Sequence, residues 1–224
     1  LGSTARQAMA PSLGTQANNW SNQESARRSG FDAEIVELSN LRGDMQMKSI
    51  FKPIVPDASI ADLRMHWDAN RVMFTTLMGE NDKRWNVYEV KLDGTGCKKL
   101  IENEEPDLEF YDGTYLPDGR IIANSNIGYQ GVPCVSGDDP VGNMVLYTPE
   151  QKNLRRLTFD QDANWNPVVM NNGRVMYTRW EYTDLTHYYS RIVMHMNPDG
   201  TENKALYGSG SMFPNSTFDI QPLP

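Results

Sequence analysis

Cysteine is scarce in this chain: only Cys97 and Cys134 occur among 224 residues. Two thiols cannot build the disulfide framework of a small secreted module, and no C-x-x-C, C-x-x-C-H or paired zinc spacing is present. The chain therefore has no attachment site for a covalent haem. Long apolar runs are also missing. None approaches the ~18 residues of a membrane-spanning helix, and the first residues, "LGSTARQAMAPSLG", show no apolar signal core. Basic residues are outnumbered, 21 against 29 acidic, for a net charge of −8. That balance argues against a nucleic-acid backbone or an anionic membrane surface as partner. No G-x-S-x-G elbow, phosphate loop or H-E-x-x-H pair appears.

What the chain does have is a repeat. "HWDANRVMFTT" (66–76), "YLPDGRIIANSN" (115–126) and "VMNNGRVMYTR" (169–179) share one phrase: a polar turn, an arginine and alternating apolar residues. The arginines, Arg71, Arg120 and Arg174, lie 49 and 54 residues apart. Each phrase is followed by a variable loop and a second strand candidate. Then come a turn, twice Asp-Gly-Thr, and a short strand closing on Leu100, Leu157 or Leu206. Asp-Gly and Asn-Gly favour hairpin turns because both tolerate positive φ. Four antiparallel strands in about 50 residues are the signature of a propeller blade; a sandwich would not require the phrase to recur.

The expected fold class is all-β: four-stranded β-propeller blades in an incomplete ring. The units read as a half blade at 33–59, blades at 60–110, 111–166 and 167–214, and the first strand of a next blade at 215–224. Residues 1–32, rich in Ser, Gln, Asn and Ala, read as a linker or an edge-covering arm. Other domains or subunits would complete the ring.

Strand order fixes which end carries function. Name the strands of a blade a to d. The a–b and c–d turns share one rim, and the long b–c and d–a connections share the other. Long loops on a rigid scaffold are where binding residues gather. That rim collects Glu102, Glu104, Glu105, Asp107, Glu109, Asp112, Asp138, Asp139, Asp160, Asp162, Glu181 and Asp184. These acids read either as a face for a cation or basic partner, or as ordinary solvated and turn-capping residues; no D-x-D-x-D-G spacing is present, and no metal site is expected. Cys97, past a c–d turn, and Cys134, in a b–c loop, belong at opposite ends. A strand spans roughly 17–20 Å, so no bond between them is expected. Tyr129 sits in the same loop as Cys134. His187, beside Tyr188 and Tyr189, has the best claim among the histidines; His66 and His195 read as structural, His195 packing between blades. Trp180, Tyr182 and Tyr188 form either a ligand platform or blade packing.

Longer phrases carry a resemblance. "YDGTYLPDGRII", "YQGVPCVSGDDPVGN", "RRLTFDQDANWNPVVMNNGRVMYTRWEYTDLTHYYSRIVMHMNPDGT" and "YGSGSMFPNSTF" resemble the propeller region of proteins related to the hydrazine synthase alpha subunit, and the blades are similar to TolB-type repeats. The resemblance spans about residues 55–224. It implies an exported, periplasmic or cell-surface bacterial protein. It also implies a c-type haem in another domain or partner, since this chain can hold none. Cys134 matches the "GVPC" cysteine near that haem, and Tyr129 and His187 would face the cofactor. Three readings follow. One is a scaffold and binding domain docking a partner on its acidic loop rim. Another is part of a haem redox enzyme of nitrogen metabolism. A third is a surface carbohydrate- or peptide-binding domain using Trp180, Tyr182 and Tyr188, with Asp138, Asp139 and Asp184 as further binding candidates.

Overall fold

The structure, a computed structural model, describes residues 30–79, 84–132, 140–180, 190–210, 213 and 216–223. Fourteen strands form one two-stranded and three four-stranded antiparallel sheets among them. Strands β1 (Ile35–Ser39) and β2 (Gln46–Phe51) make the small sheet. Blade 1 runs β3 (Ile60–Met65), β4 (Arg71–Thr76), β5 (Asn86–Lys91) and β6 (Lys98–Lys99). Blade 2 runs β7 (Phe110–Tyr115), β8 (Ile121–Ser125), β9 (Asn143–Thr148) and β10 (Asn153–Arg156). Blade 3 runs β11 (Asn164–Val169), β12 (Val175–Trp180), β13 (Arg191–Met196) and β14 (Lys204–Tyr207). Each large sheet meanders in sequence order, and the ring they begin is open.

The repeated phrase explains the tight rim. In each a–b turn an Asp or Asn side chain accepts the amide two residues on: Asn70 to Asp68, Arg120 to Asp118, Arg174 to Asn172. In two c–d turns the threonine amide and hydroxyl both donate to the aspartate, Thr95 to Asp93 and Thr201 to Asp199. These local bonds offer the backbone a turn in place of a longer strand. The arginines then brace the turns. Arg174 donates to His195, to the Asn197 side chain and to the Glu202 carbonyl. Arg71 pairs with Asp68 and Glu89 and donates to His66 Nε2. Arg120 pairs with Asp118 alone among the described residues. His66 is structural, its ring edge-on to Tyr115 at 4.6 Å. Arg174 of its own sheet holds His195, which pairs with Met176 and lies on the face opposite Ile192, Met194 and Met196, the face that in blades 1 and 2 packs against the following blade. Burial and Arg174 together hold the His195 pKa below the ordinary value.

Three apolar layers join the sheets. Ile35, Ile50 and Phe51 meet Val72, Phe74 and Val90. Met73 and Val87 meet Ile121, Ala123 and Val145. Ile122, Met144 and Leu146 meet Val169, Val175 and Tyr177. The strand methionines Met73, Met144, Met194 and Met196 are buried filler, as flexible thioethers suit such gaps. Gly113 is required for space. A Cβ there would stand 2.5 Å from Met73 Sδ and 3.0 Å from Val87.

Two strands begin earlier than the sequence pattern suggests. Phe110–Asp112 and Asn164–Pro167 read as connections, yet they open β7 and β11. A bulge in each breaks the alternation that marks a strand. Cys97 is exposed and free; Cys134 lies outside the described residues.

Candidate functional site

Two places gather polar residues. The first lies where the inner strands meet. Each inner strand bulges around one acid or amide in the left-handed conformation: Asp62 (φ 57), Asp112 (φ 51) and Asn166 (φ 54), with Asp219 (φ 47) continuing the series. Their side chains form a ladder from blade to blade. The Asp112 amide donates to Asp62 Oδ2 at 3.0 Å, and the Asn166 amide donates to Asp112 Oδ2. The Asp219 amide reaches Asn166 Oδ1 at 3.4 Å, and Asn166 Nδ2 returns a bond to Asp219 Oδ1 at 3.1 Å. Strand b supports each rung with a fully buried residue four places past the repeated arginine: Thr75, Asn124 or Thr178. Thr75 Oγ1 also accepts from the Asp112 amide, and Asn124 Nδ2 donates to Asp112 Oδ2.

Asp112 is the hub. Burial first, and repulsion from Asp62 second, push its carboxyl up to about 7 against the pull of Arg64, whose guanidinium lies 3.6 Å away. Burial raises Asp62 as well, with Asp219 adding repulsion. Desolvation disfavours the charged form of each acid. The ladder repeats from blade to blade and its rungs bond mainly to one another, the character of an architectural seam, with Asp112 buried and Asp62 and Asn166 half-buried.

The second place is the loop rim. Among the described residues, hydrogen bonds tie the ends of its long connections to one another. Arg84 donates to the carbonyls of Glu105 and Pro106, Asn126 Nδ2 to Asp107, Asn143 Nδ2 to Asp160, and the Trp180 amide to Ala163. Several acids expected on its surface are internal. Glu109, Asp112 and Asp162 are buried, and Glu109 Oε1 accepts the Trp85 amide. Glu102, Glu104, Glu105 and Asp107 remain exposed.

Between blades 2 and 3 the rim carries a built constellation. Arg156 Nε donates to the Thr158 carbonyl at 2.8 Å, and NH2 donates to Asn143 Oδ1 at 2.7 Å and Gln130 Oε1 at 3.3 Å. Its guanidinium lies 4.7 Å from the Phe159 ring centroid, within cation–π range. Phe159 is 73% exposed. Burial draws the Arg156 pKa down, and it makes no ion pair among the described residues. Neighbouring Asp160 pairs with Arg179 Nε at 3.3 Å and accepts from Asn164 Nδ2. Gly128 packs so closely that a Cβ would stand 2.9 Å from Asn143 Oδ1.

Of the sequence candidates, Tyr129 is exposed beside Gln130 on this rim. Trp180 is fully buried against Trp165, Val132, Val141 and Ala163, so its ring packs inside the protein and offers no open platform. Buried Arg191 lies over Trp180 at 4.5 Å and over Trp165 at 5.3 Å. Cys134, Asp138, Asp139, Tyr182, Asp184, His187 and Tyr188 lie outside the described residues. Arg156 and Phe159 escaped sequence reading; an arginine three residues ahead of an unpaired aromatic in a connection was the available signal. Among the described residues no His, Cys, Asp or Glu group could hold a metal ion. Nor is any described helix long and apolar enough to cross a membrane.

No family model matches this sequence, and no curated protein does. Solved structures match. Hydrazine synthase of Kuenenia stuttgartiensis superposes with a TM-score of 0.60 at 12% identity, covering 75% of this chain and 28% of that one. TolB of Acinetobacter baumannii superposes at 0.50 with 16% identity, covering 77% of this chain and 40% of its own. The fold is an incomplete β-propeller. The tricorn protease shares it at a TM-score of 0.53 and 15% identity, over 80% of this chain and 16% of that one. The propeller segment spans under a third of hydrazine synthase and under half of that TolB. At such identities the likeness is one of fold. It meets, from the coordinates, the same two groups that the sequence phrases resemble.

Proposed function

We propose that this chain is the scaffold and binding segment of a larger exported propeller protein, periplasmic or at the cell surface, and that it docks a partner or a cofactor-bearing domain on its loop rim. One observation carries the reading: the immobilised Arg156 guanidinium with the exposed Phe159 ring upon it. Binding energy concentrates in aromatic and arginine anchors held rigid before contact. On the neighbouring connection the exposed Glu104, Glu105 and Asp107 add negative charge that suits a basic partner face. Charge of this kind steers encounter more than it adds affinity.

The test is co-purification of the whole protein from the cells that make it. A stoichiometric companion should travel with the native protein and be lost from Phe159→Ala, while Glu104→Lys with Glu105→Lys slows association. A companion retained undiminished by all these variants contradicts the reading.

The structural likeness to hydrazine synthase, joined to the "GVPC" phrase, supports a second reading, in which the docked domain carries a c-type haem and the assembly is a redox enzyme of nitrogen metabolism. A visible spectrum of the whole assembly separates the two. A Soret band that follows the companion supports the haem, and a companion without one leaves the scaffold reading alone.

A further inference from the structure

Blade 1 presents bare a surface that blades 2 and 3 keep covered. The residues one and three places past each bulge point towards the preceding blade. In β7 these are Gly113, against Met73 and Val87 of β4 and β5, and Tyr115, 8% exposed, whose hydroxyl donates to Glu89 of β5. In β11 they are buried Pro167 and Val169, the latter 7% exposed within the layer formed with blade 2. In β3 they are Leu63, 50% exposed, and Met65, 56% exposed. Strands b and c of the preceding blade do the covering in the first two cases. Among the described residues, the strands before blade 1 are β1 and β2, and β1 has no partner on its other edge.

The hydrogen bonding shows the same gap. The Asp112 amide finds Asp62 and Thr75 on the preceding blade, and the Asn166 amide finds Asp112. The Asp62 amide has no side-chain acceptor among the described residues. By position, β1 matches β5, the third strand of blade 1. Ile35 packs towards blade 1 through the same apolar layer as Ile50 and Phe51. The bare face is thus continuous with an interface already built.

We propose that the β1 edge and the Leu63–Met65 face are the seat of an antiparallel β-hairpin, the inner two strands of one further blade. Its first strand carries an Asp or Asn that accepts the Asp62 amide. Its second strand pairs with β1 and lays an apolar residue on Leu63. Strand addition to an open edge takes affinity from main-chain bonds and specificity from alternate side chains. An open, partly apolar edge left bare is also a site of unwanted pairing, which gives the hairpin a protective role. The inference is independent of the rim, which lies on another surface.

The probe is a synthetic peptide of the chain's own inner hairpin, residues 108–126, added to the full chain. Hydrogen exchange should slow at least about tenfold in Ile35–Ser39 and at the Asp62 amide. A peptide with Asp112→Ala should lose the protection at Asp62. On the protein, Met65→Ser should abolish protection while leaving the unfolding midpoint unchanged, whereas Val169→Ser, at the covered counterpart, lowers it. Three results overturn the proposal: no protection by the peptide; a midpoint lowered as much by Met65→Ser as by Val169→Ser; or dimers whose formation alone protects the β1 edge, which assigns the face to a second copy. Protection already present in the chain alone and lost on deleting residues 1–29 overturns it as well, since it assigns the seat to the arm.

Discussion

The axial ladder and the loop rim are both polar, and they differ in nearly every other respect. The ladder repeats blade after blade with the same backbone conformation, an Asp or Asn acceptor and a buried Thr or Asn from strand b. The Arg156 constellation occurs once among the described residues, stands at the surface, and holds an aromatic ring out into solvent. Repetition in a propeller marks what every blade needs in order to pack against its neighbour. A polar group that breaks the repeat and remains exposed is where this molecule can differ from others of its fold, and so where binding belongs.

The contrast is sharpest in mutation. Asp112→Ala should cost roughly 3–5 kcal/mol, because it strands the half-buried Arg64 guanidinium and the Asn124 and Asn166 donors, from three blades, at once. Denaturant unfolding measures it, and Asp112→Asn should recover most of the loss, since an amide oxygen still accepts from Asn166. A loss below about 1 kcal/mol would put the ladder on the same footing as a surface pair.

Gly113→Ala should cost about 1–3 kcal/mol by overpacking against Met73 and Val87, with Met73→Leu altering the loss through the shared contact.

Proton linkage separates the regions next. Asp112 holds its proton more tightly folded than unfolded, its carboxyl raised from 3.8 to about 7. Folding therefore takes up a proton between those values. The associated stability is complete below the unfolded value and is lost as pH rises through about 7; the raised Asp62 works in the same direction. Unfolding free energy should fall from pH 4 to pH 8, and Asp112→Asn should flatten that slope. Phe159→Ala should leave it unchanged.

The smallest expected effect is on the rim. Phe159→Ala should move stability by no more than about 0.5 kcal/mol, the usual range for an exposed site, while removing the companion from the whole protein. A large loss of stability would return Phe159 to the architecture.

Much of this architecture was legible in the sequence, and the reason is local. Asp118-Gly119, Asn172-Gly173 and the arginines after them act within a few residues, so the turns and the period show directly. The ladder was hidden because its residues act across 50 positions and sit in bulges. Asp112 and Asn166 interrupt the alternation of their strands and so read as connection. Asp62 passed unremarked between apolar neighbours. The same interruption made Glu109, Asp112 and Asp162 look like surface acid. Trp180 was left open between platform and packing, since composition is identical for both; only its enclosure by Trp165, Val132 and Val141 decides. A better signal exists in hindsight: an acid or amide eight or nine residues before the repeated arginine, and a short polar residue four after it.

Hydrogen exchange at the Asp112 and Asn166 amides tests the central claim most directly. Both should exchange only through global unfolding, at the slowest rates in the chain, and both should speed together when the Asp62 carboxylate is removed. Exchange near the rate of an unstructured peptide at either amide would mean that the blades are not joined through these residues.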